Sequence, residues 1–573
     1  MKKLLVCLVF AGAIGGAYYN TLGNDFVFDD YLLVVENPFV RSTKPLSEFL
    51  LAPLSLGYRP FRTLSYVIDA RIGGVQPWVF HASNLFYHWL TTCLVFLVTL
   101  RLTNMVPERQ ADALPLQNDT TLWRWRPAIF VTALWALHPL QTDAVTYISG
   151  RRDILGGLCL FLGLWTYGSF RIAELHAGVW RYGWLVLSCV VYGLGILSKE
   201  SVIVLPVLCW MYDIQREGIV ESLRRRWAIY FLVLLLGFAV LWYFAGPIFF
   251  MTIQNATWHG GSLEGNFATV ARIWQHYLSL MVYPHTLLAD YSYNAFPASS
   301  SFGETRVLVA LGTLTGAVIG ISLLAWQWPL CRYGGLWMLV SILPVSHLIP
   351  IKEVVAEHYL YVPLFGFCLI VGVVLAALCG DGLTRGATWS RVRAATVYGV
   401  VVLLLVGSVL RTVTRNRDWA DEETFWTVVT QTAPQGARGH YNLAGTYKRL
   451  QRPGDAAREF MVTLAISPQH VGAIVGLGEL AFEAGHYGQS LAYAKQAQVI
   501  DPQHPRVIYL LSWVKLALKE IDEAEQLFLQ AATLMPNSSG VYAGLEAVAK
   551  ERGDKEAEKQ WADKRQALEG RHG

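Results

Sequence analysis

Apolar segments long enough to cross a lipid bilayer follow one another through the first 411 residues, and no other feature constrains this chain as strongly. A bilayer span needs ~20 mostly apolar residues. Such segments read at 4–20, 83–101, 127–145, 154–170, 182–198, 201–213, 227–246, 306–327, 333–350, 359–379 and 394–411. That is eleven, with 201–213 short. Segment 273–289 is apolar too, but His276, Pro284 and His285 make it an interfacial or re-entrant piece. Charged residues fill 12% of positions 1–411 and 23% of positions 412–573. A membrane-like part therefore precedes a soluble-like one, which excludes a wholly soluble enzyme and a disordered or fibrous chain. A net charge of +4 without a basic, aromatic-interleaved patch argues against nucleic acid. All eight cysteines lie in apolar segments, without CxxC or metal-ligand spacing, and read as buried apolar residues.

Lys/Arg asymmetry orients the spans. Lys2 and Lys3, Arg124 and Arg126, Arg171 and Arg181, Arg224 to Arg226, Arg332, and Arg385, Arg391 and Arg393 fall in alternate loops. Those loops read as cytoplasmic, with the N-terminus inside and the C-terminal domain outside. The first segment reads as an anchor, since no clean A-x-A cleavage site precedes the next polar stretch.

From Ala437 the chain repeats. Pro468, Pro502 and Pro536 stand 34 residues apart, the tetratricopeptide period. The registers are 437–470, 471–504 and 505–538, with a partial unit at 539–570; residues 412–436 form a linker or amphipathic helix before them. Position 8 holds Ala444, Gly478 and Ser512, and position 20 holds Ala456, Ser490 and Ala524. Small residues there let two helices touch. Such arrays offer a concave face for extended peptides. The first helices place Tyr441, Lys448, Arg449, Glu479, Phe482, Tyr509 and Trp513 toward it, as groove lining or as packing between repeats.

The loops on the exterior side hold the unusual polar groups. Asp29-Asp30 opens the first of them, and adjacent carboxylates there bind a cation, cap a helix or act as a base. Arg59, Arg62, Arg151, Arg152, Lys199, Lys352 and His358 lie on the same side. Arg forks onto phosphate oxygens and Lys supplies a point charge, so these suit a lipid-linked phosphate. Asp153 and Glu200 stand beside Arg152 and Lys199 as neutralising partners; Glu357 and Asp290 complete the supporting set, and His138-Pro139 reads as a helix stop with a satisfied histidine.

Across these residues the chain closely resembles the transmembrane and tetratricopeptide repeat-containing O-mannosyltransferases and their bacterial relatives. The matching stretches are FVFDDYLLVVENPFV (26–40), YRPFRTLSYVIDA (58–70), FHASNLFYHWL (80–90), LHPLQTDAVTYISGRRDILG (137–156), LSKESVIVLPVLCWMYD (197–213), ADYSY (289–293) and AEHYLYVPLFGF (356–367). RNRDWADEETFW (415–426) then leads into GHYNLAGTY (439–447). The resemblance implies an all-α GT-C membrane domain of about eleven spans followed by a tetratricopeptide α-solenoid. It also implies transfer of mannose or another hexose from a polyprenyl-phosphate carrier to Ser/Thr hydroxyls of exported proteins. A lipid or surface-polysaccharide acceptor and a non-enzymatic scaffold stand as alternatives.

The family's first-loop acidic pair matches Asp29-Asp30, its GR-x-D element matches Gly150, Arg151 and Asp153, and its Lys-Glu matches Lys199-Glu200. Animal members tend to place Arg after the Glu of a later motif; here His358 follows Glu357. On this reading Asp29, or else Asp30, takes the acceptor proton. Arg151 and Lys199, with Arg59 or His358, hold the leaving phosphate. No cofactor is required beyond the lipid-linked donor, with a divalent cation at the acidic pair kept open. The short repeat array suggests a bacterial inner-membrane protein with its repeats outside the cytoplasm.

Overall fold

A computed structural model describes residues 1–42, 45, 59–105, 121–174, 180–254, 257–291, 295–351, 353–379 and 388–569. All helices and turns among them are helical types, with no strand. Two compact units result: residues 1–291 with 296–425, and residues 292–295 with 426–573.

In the first unit, six helical stretches are long and apolar enough to cross a membrane: Lys2–Gly23, Pro77–Thr103, Ile148–Ala173, Ile219–Phe244, Thr305–Gln327 and Arg391–Arg417. Shorter apolar helices are Arg181–Ile196, Pro329–Val345 and Leu364–Cys379. The protein is a helical membrane protein, but the eleven expected spans are not reproduced by this measure. Two expected segments differ in kind. The 127–145 segment is not one helix: a helix over Thr121–Ala136 gives way to short turns at Pro139–Gln141, Thr142–Val145 and Ile148–Gly150. Pro139 is the cause, since proline drives the residue before it out of the helical region. His138 accordingly sits at φ −67°, ψ 133°, and its Nδ1 accepts the Leu140 N–H. The 201–213 segment splits into a 3₁₀ turn, Glu200–Val204, and a 13-residue helix, Leu205–Glu217. Residues 273–282 belong to a regular helix, Leu263–Val282, with one buried face.

The segment 137–150 is irregular yet buried throughout. Backbone groups in such a place need partners. Asn84 donates to the Val145 and Tyr147 carbonyls, both at 3.2 Å, and Tyr66 to the Ile148 carbonyl at 3.1 Å. Thr146 donates to Asn416 Oδ1 at 2.7 Å, while Asn416 Nδ2 reaches back to the Ala17 carbonyl at 3.0 Å. A Cβ on Gly150 would lie 2.6 Å from the Asp143 and Ala144 carbonyl oxygens, so only glycine closes this segment. Thus side chains from the helices Pro60–Gly73, Pro77–Thr103 and Thr388–Arg417 hold it in place.

The second unit pairs its helices at the expected period: Ala437–Arg449 with Pro453–Ile466, Val471–Glu483 with Tyr487–Ile500, Pro505–Ala517 with Ile521–Leu534, and Ser539–Arg552 with Lys555–Glu569. Ser490 donates to the Gly478 carbonyl at 2.7 Å, so positions 20 and 8 do touch. Between repeats, large and small residues exchange places. Phe460 presses on Gly476 and Phe528 on Gly544, whereas Ala494 faces Leu510 in the intervening junction. Each junction is filled once, from one side or the other.

This complementarity makes a coupled prediction. Phe460→Ala alone should destabilise the repeats by roughly 3–5 kcal/mol, and Gly476→Leu alone should overpack the junction by ~1–3 kcal/mol. The double variant, which copies the Ala494–Leu510 junction, should recover much of the loss in thermal unfolding of the full chain. Additive losses would show that the two positions do not share one space.

Candidate functional site

The turn after the first helix carries the acidic pair. Phe28 adopts φ +53°, a strained conformation for a non-glycine residue costing ~1–3 kcal/mol. It is held between the Tyr147 and Phe425 rings, at centroid distances of 6.4 and 6.2 Å. Trp419 stacks on the other rings of this wall, 4.9 Å from Tyr147 and 4.8 Å from Phe425. The turn separates the two carboxyls. Asp30 is fully buried and points inward. Its Oδ1 accepts from the Ser149 N–H at 2.9 Å and the Ser149 hydroxyl at 2.5 Å; its Oδ2 accepts the Val27 N–H at 3.2 Å. Burial pushes this carboxyl up to about 7, against the lowering effect of those three hydrogen bonds. Asp29 is only half-buried, and its N–H donates to Tyr147 Oη at 3.3 Å. Asp30 therefore bolts the turn to the segment that leads into Arg151-Arg152-Asp153, and Asp29 is the member of the pair left toward the surface.

The two adjacent arginines have opposite situations. Arg151 is sealed inside. It pairs with Asp69 at 2.5 Å and donates to Asn84 Oδ1 at 2.7 Å, the Phe80 carbonyl at 2.8 Å and Ser65 Oγ at 3.3 Å, with the Tyr66 ring 4.7 Å away. Arg151, expected from the sequence to contact phosphate, has its donors engaged by the frame and no exposed surface in this structure. Arg152 keeps a little exposed surface and bonds to two residues, Asp153 and His358, of a small crevice that is also lined by Lys199, Ser201, Tyr359 and Pro363. Its Nε donates to Asp153 at 3.3 Å and its Nη2 to His358 Nε2 at 2.9 Å. His358 Nδ1 lies 2.8 Å from Asp143 Oδ2, which also accepts the His358 N–H at 2.9 Å. That network assigns the proton to Nδ1 and makes Nε2 the acceptor that orients Arg152.

Lys199 pairs with the other Asp153 oxygen and stands 5.1 Å from the Tyr359 ring centre. Burial, first, and the neighbouring Arg152 lower its pKa, with Asp153 and Glu200 opposing. Arg59 forks onto Glu200 at 2.9 and 3.0 Å. Tyr147 lies within electrostatic reach of Asp29, Asp30 and Arg152, so the acidic turn and the crevice form one neighbourhood.

The remaining expected residues are dispersed around it. The Arg62 guanidinium lies 5.9 Å from the Tyr66 ring centre. Glu357 is buried, accepts from the Leu288 N–H at 2.5 Å and the Tyr291 hydroxyl at 3.0 Å, and faces Arg415 at 3.7 Å. Burial raises it to about 7 although Arg415 opposes. His138 is buried, with Nε2 3.1 Å from the Met281 carbonyl. Asp290 is half-buried in the stretch after the helix Leu263–Val282, and Lys352 lies outside the described residues. Among the described residues no cluster of three or more His, Cys, Asp or Glu is arranged to hold a metal ion. The sequence reading overlooked Asp143, Asp69, Ser149 and Arg415. A carboxylate at 143 inside an apparent span was the available signal, because ionisable groups at membrane depth are costly and often functional.

In the repeats, several expected groove residues bind neighbouring repeats. Lys448 pairs with Glu479 at 2.8 Å and Glu483 at 3.0 Å; Arg506 pairs with Glu479 at 2.8 Å and donates to the Tyr441 hydroxyl at 2.9 Å. Tyr509 and Trp513 pack half-buried against the cluster around Phe528 and Tyr542. Tyr441, Lys448, Tyr509 and Trp513 thus hold repeats together. Phe482 is half-buried beside Tyr487 at 5.3 Å, and Arg449 is exposed, donating to Thr446 Oγ1 at 3.2 Å.

Two outcomes follow. Arg151→Gln should destabilise the protein by roughly 3–5 kcal/mol, because Asp69 is left buried and unpaired; a normal thermal midpoint would contradict the framing role. Asp30 titrates at about 7 in the fold against 3.8 in an open chain. Its stabilisation is complete below pH 3.8 and is lost as pH rises through 7, by up to ~4 kcal/mol. The wild type should therefore lose thermal stability relative to Asp30→Asn between pH 5 and pH 8, and parallel pH profiles would refute the assignment.

Comparison with known proteins agrees with both units. A tetratricopeptide repeat family model matches residues 481–548. The chain is 24% identical to the protein O-mannosyl-transferase Tmtc3 of Drosophila melanogaster, over 93% of this chain and 64% of that protein. It is 26% identical to TMTC1 of Homo sapiens over 82% and 56%, and 25% identical to human TMTC4 over 73% and 60%. The chain thus spans between about half and two thirds of the length of these relatives. The crystal structure of MamA aligns with 27% of this chain and 91% of its own at 16% identity, with a TM-score of 0.23, which carries no argument.

Proposed function

For a chain homologous over most of its length to the transmembrane and tetratricopeptide repeat-containing O-mannosyltransferases, we propose a GT-C membrane glycosyltransferase. It moves mannose or another hexose from a polyprenyl-phosphate carrier to Ser/Thr hydroxyls of exported proteins, with inversion. The observation that carries this reading is the division of labour in the acidic pair. Asp30 clamps Ser149, and Asp29 is left half-buried beside Tyr147, in the neighbourhood of Arg152.

In this mechanism Asp29 takes the proton of the acceptor hydroxyl as its oxygen attacks the anomeric carbon. The bond from that carbon to the phosphate oxygen breaks, and the lipid phosphate leaves with the electron pair. Arg152 and Lys199 receive it. Both are paired to Asp153, which the phosphate would displace or share. His358 positions Arg152, Arg59 and Glu200 brace the crevice wall, and Arg151 positions the turn. Phosphate is a good leaving group, so no dedicated general acid is needed. An apolar groove of about 400 Å³ between the helices Leu263–Val282, Thr305–Gln327 and Pro329–Ile342 shares Pro363 with the crevice and suits the isoprenoid chain.

The names of the relatives support a protein acceptor and mannose. Acceptor binding falls to the repeats, with Arg449 and Phe482 as contacts. The Lys/Arg asymmetry supports an extracytoplasmic side for the loop that holds the acidic turn and for the repeats, and the short repeat array supports a bacterial inner-membrane location.

Intact masses of exported proteins, compared between cells making the wild type and Asp29→Asn at equal level, test the proposal. A hexose-sized increment should be lost in the variant, whose turnover should fall ~10²–10⁴-fold, while Arg152→Gln should chiefly raise the donor KM. Normal turnover in Asp29→Asn would remove it as the base. Unchanged protein masses alongside altered surface glycolipids would transfer the proposal to a lipid acceptor.

A further inference from the structure

At the end of the first unit opposite the acidic turn lies a second polar cavity, of about 570 Å³. It gathers Lys3 from the start of the first helix, Arg101 and Asn104 from the end of Pro77–Thr103, and Tyr212 and Arg216 from Leu205–Glu217. The first helix alone separates Lys3 from the Asp29 turn by on the order of 25 Å.

Among the described residues lining the cavity there is no carboxylate. The nearby acids are committed elsewhere: Asp213 to Arg171 at 2.6 Å and Tyr230 at 2.6 Å, and Glu174 and Glu217 to Arg171 and Arg226. The buried Tyr212 hydroxyl faces Arg216. Arg101 is held over the Trp165 ring at 5.2 Å and donates to the Trp165 carbonyl and to Ser169 Oγ at 3.1 Å. Gly168 makes the room: a Cβ there would lie 2.5 Å from Arg101 Nη1 and 2.9 Å from the Tyr212 hydroxyl. Three cations and a buried hydroxyl thus converge on one space, whose other walls include the apolar Leu100 and Ile172.

We propose that this cavity binds the phosphate headgroup of an anionic phospholipid in the leaflet opposite the crevice, with an acyl chain along its apolar wall. Basic pockets between membrane helices bind acidic headgroups by this logic, and a planar guanidinium suits phosphate oxygens. The site is separate from the glycosyltransferase reading and stands or falls without it.

The test titrates the full-length protein in detergent with dioctanoyl phosphatidylglycerol, dioctanoyl phosphatidylcholine or inorganic phosphate, and follows bound adducts by native mass spectrometry. Phosphatidylglycerol should bind in preference to phosphatidylcholine. Lys3→Gln/Arg216→Gln should weaken it roughly ten- to thirty-fold. Lys3 is exposed and Arg216 half-buried, so this variant should fold, as an unchanged elution volume and thermal midpoint would verify. Equal binding of the two lipids, or undiminished phosphatidylglycerol binding in the variant, overturns the site. Competition by inorganic phosphate at equal concentration overturns the lipid source in favour of a free anion.

Discussion

A stretch of backbone without regular structure, buried among membrane helices, must find hydrogen-bond partners for its peptide groups, and the first unit is organised around that requirement at residues 137–150. Pro139 denies the segment a continuous helix, and Gly150 lets its end pack on its own carbonyls. Asn84 and Tyr66 then supply donors to its carbonyls, and Asn416, from a third helix, accepts the Thr146 hydroxyl. An orphaned group in such a place costs ~1–3 kcal/mol. The same polar side chains that satisfy the segment also fix where Tyr147, Ser149, Arg151 and Arg152 stand. The candidate site is thus a by-product of solving a burial problem.

Charge follows the same economy. In the low-dielectric interior an unpaired ion is prohibitive, so Arg151 meets Asp69, Lys199 meets Asp153, and Glu357 faces Arg415. What differs between these pairs is access. Arg151 is closed off, whereas Lys199 and Asp153 line a small crevice and Arg152 bonds to Asp153 and His358 in its wall. At the other end of the unit Lys3, Arg101 and Arg216 share a cavity with no carboxylate among its described lining residues. The repeats apply the corresponding rule to volume: a large residue from one side of a junction is matched by a small one on the other.

Much was legible in the residues alone. The hydropathy contrast at about 411, the 34-residue period and the helix-contact positions depend on local pattern, and pattern survives without a fold. The membrane-like character of the first unit and the helix pairing of the second follow from it. The neighbourhood of the site was legible too, because carboxylates and arginines in apolar surroundings are conspicuous. The count of spans was not, because an apolar run such as 127–145 has the same composition whether it crosses a bilayer or folds back as buried turns.

Only tertiary structure decided the roles within each cluster. Asp29 and Asp30 are chemically identical neighbours, and Ser149, 119 positions from Asp30, draws one of them inward. Arg151 and Arg152 are likewise adjacent, but they point from successive positions of one helix into different surroundings, one toward Asp69 and Asn84, the other toward His358. Residue type and spacing determine which chemistry a sequence can offer. Which atom is exposed to perform it depends on contacts between positions far apart in the chain, and those exist only once the chain has folded.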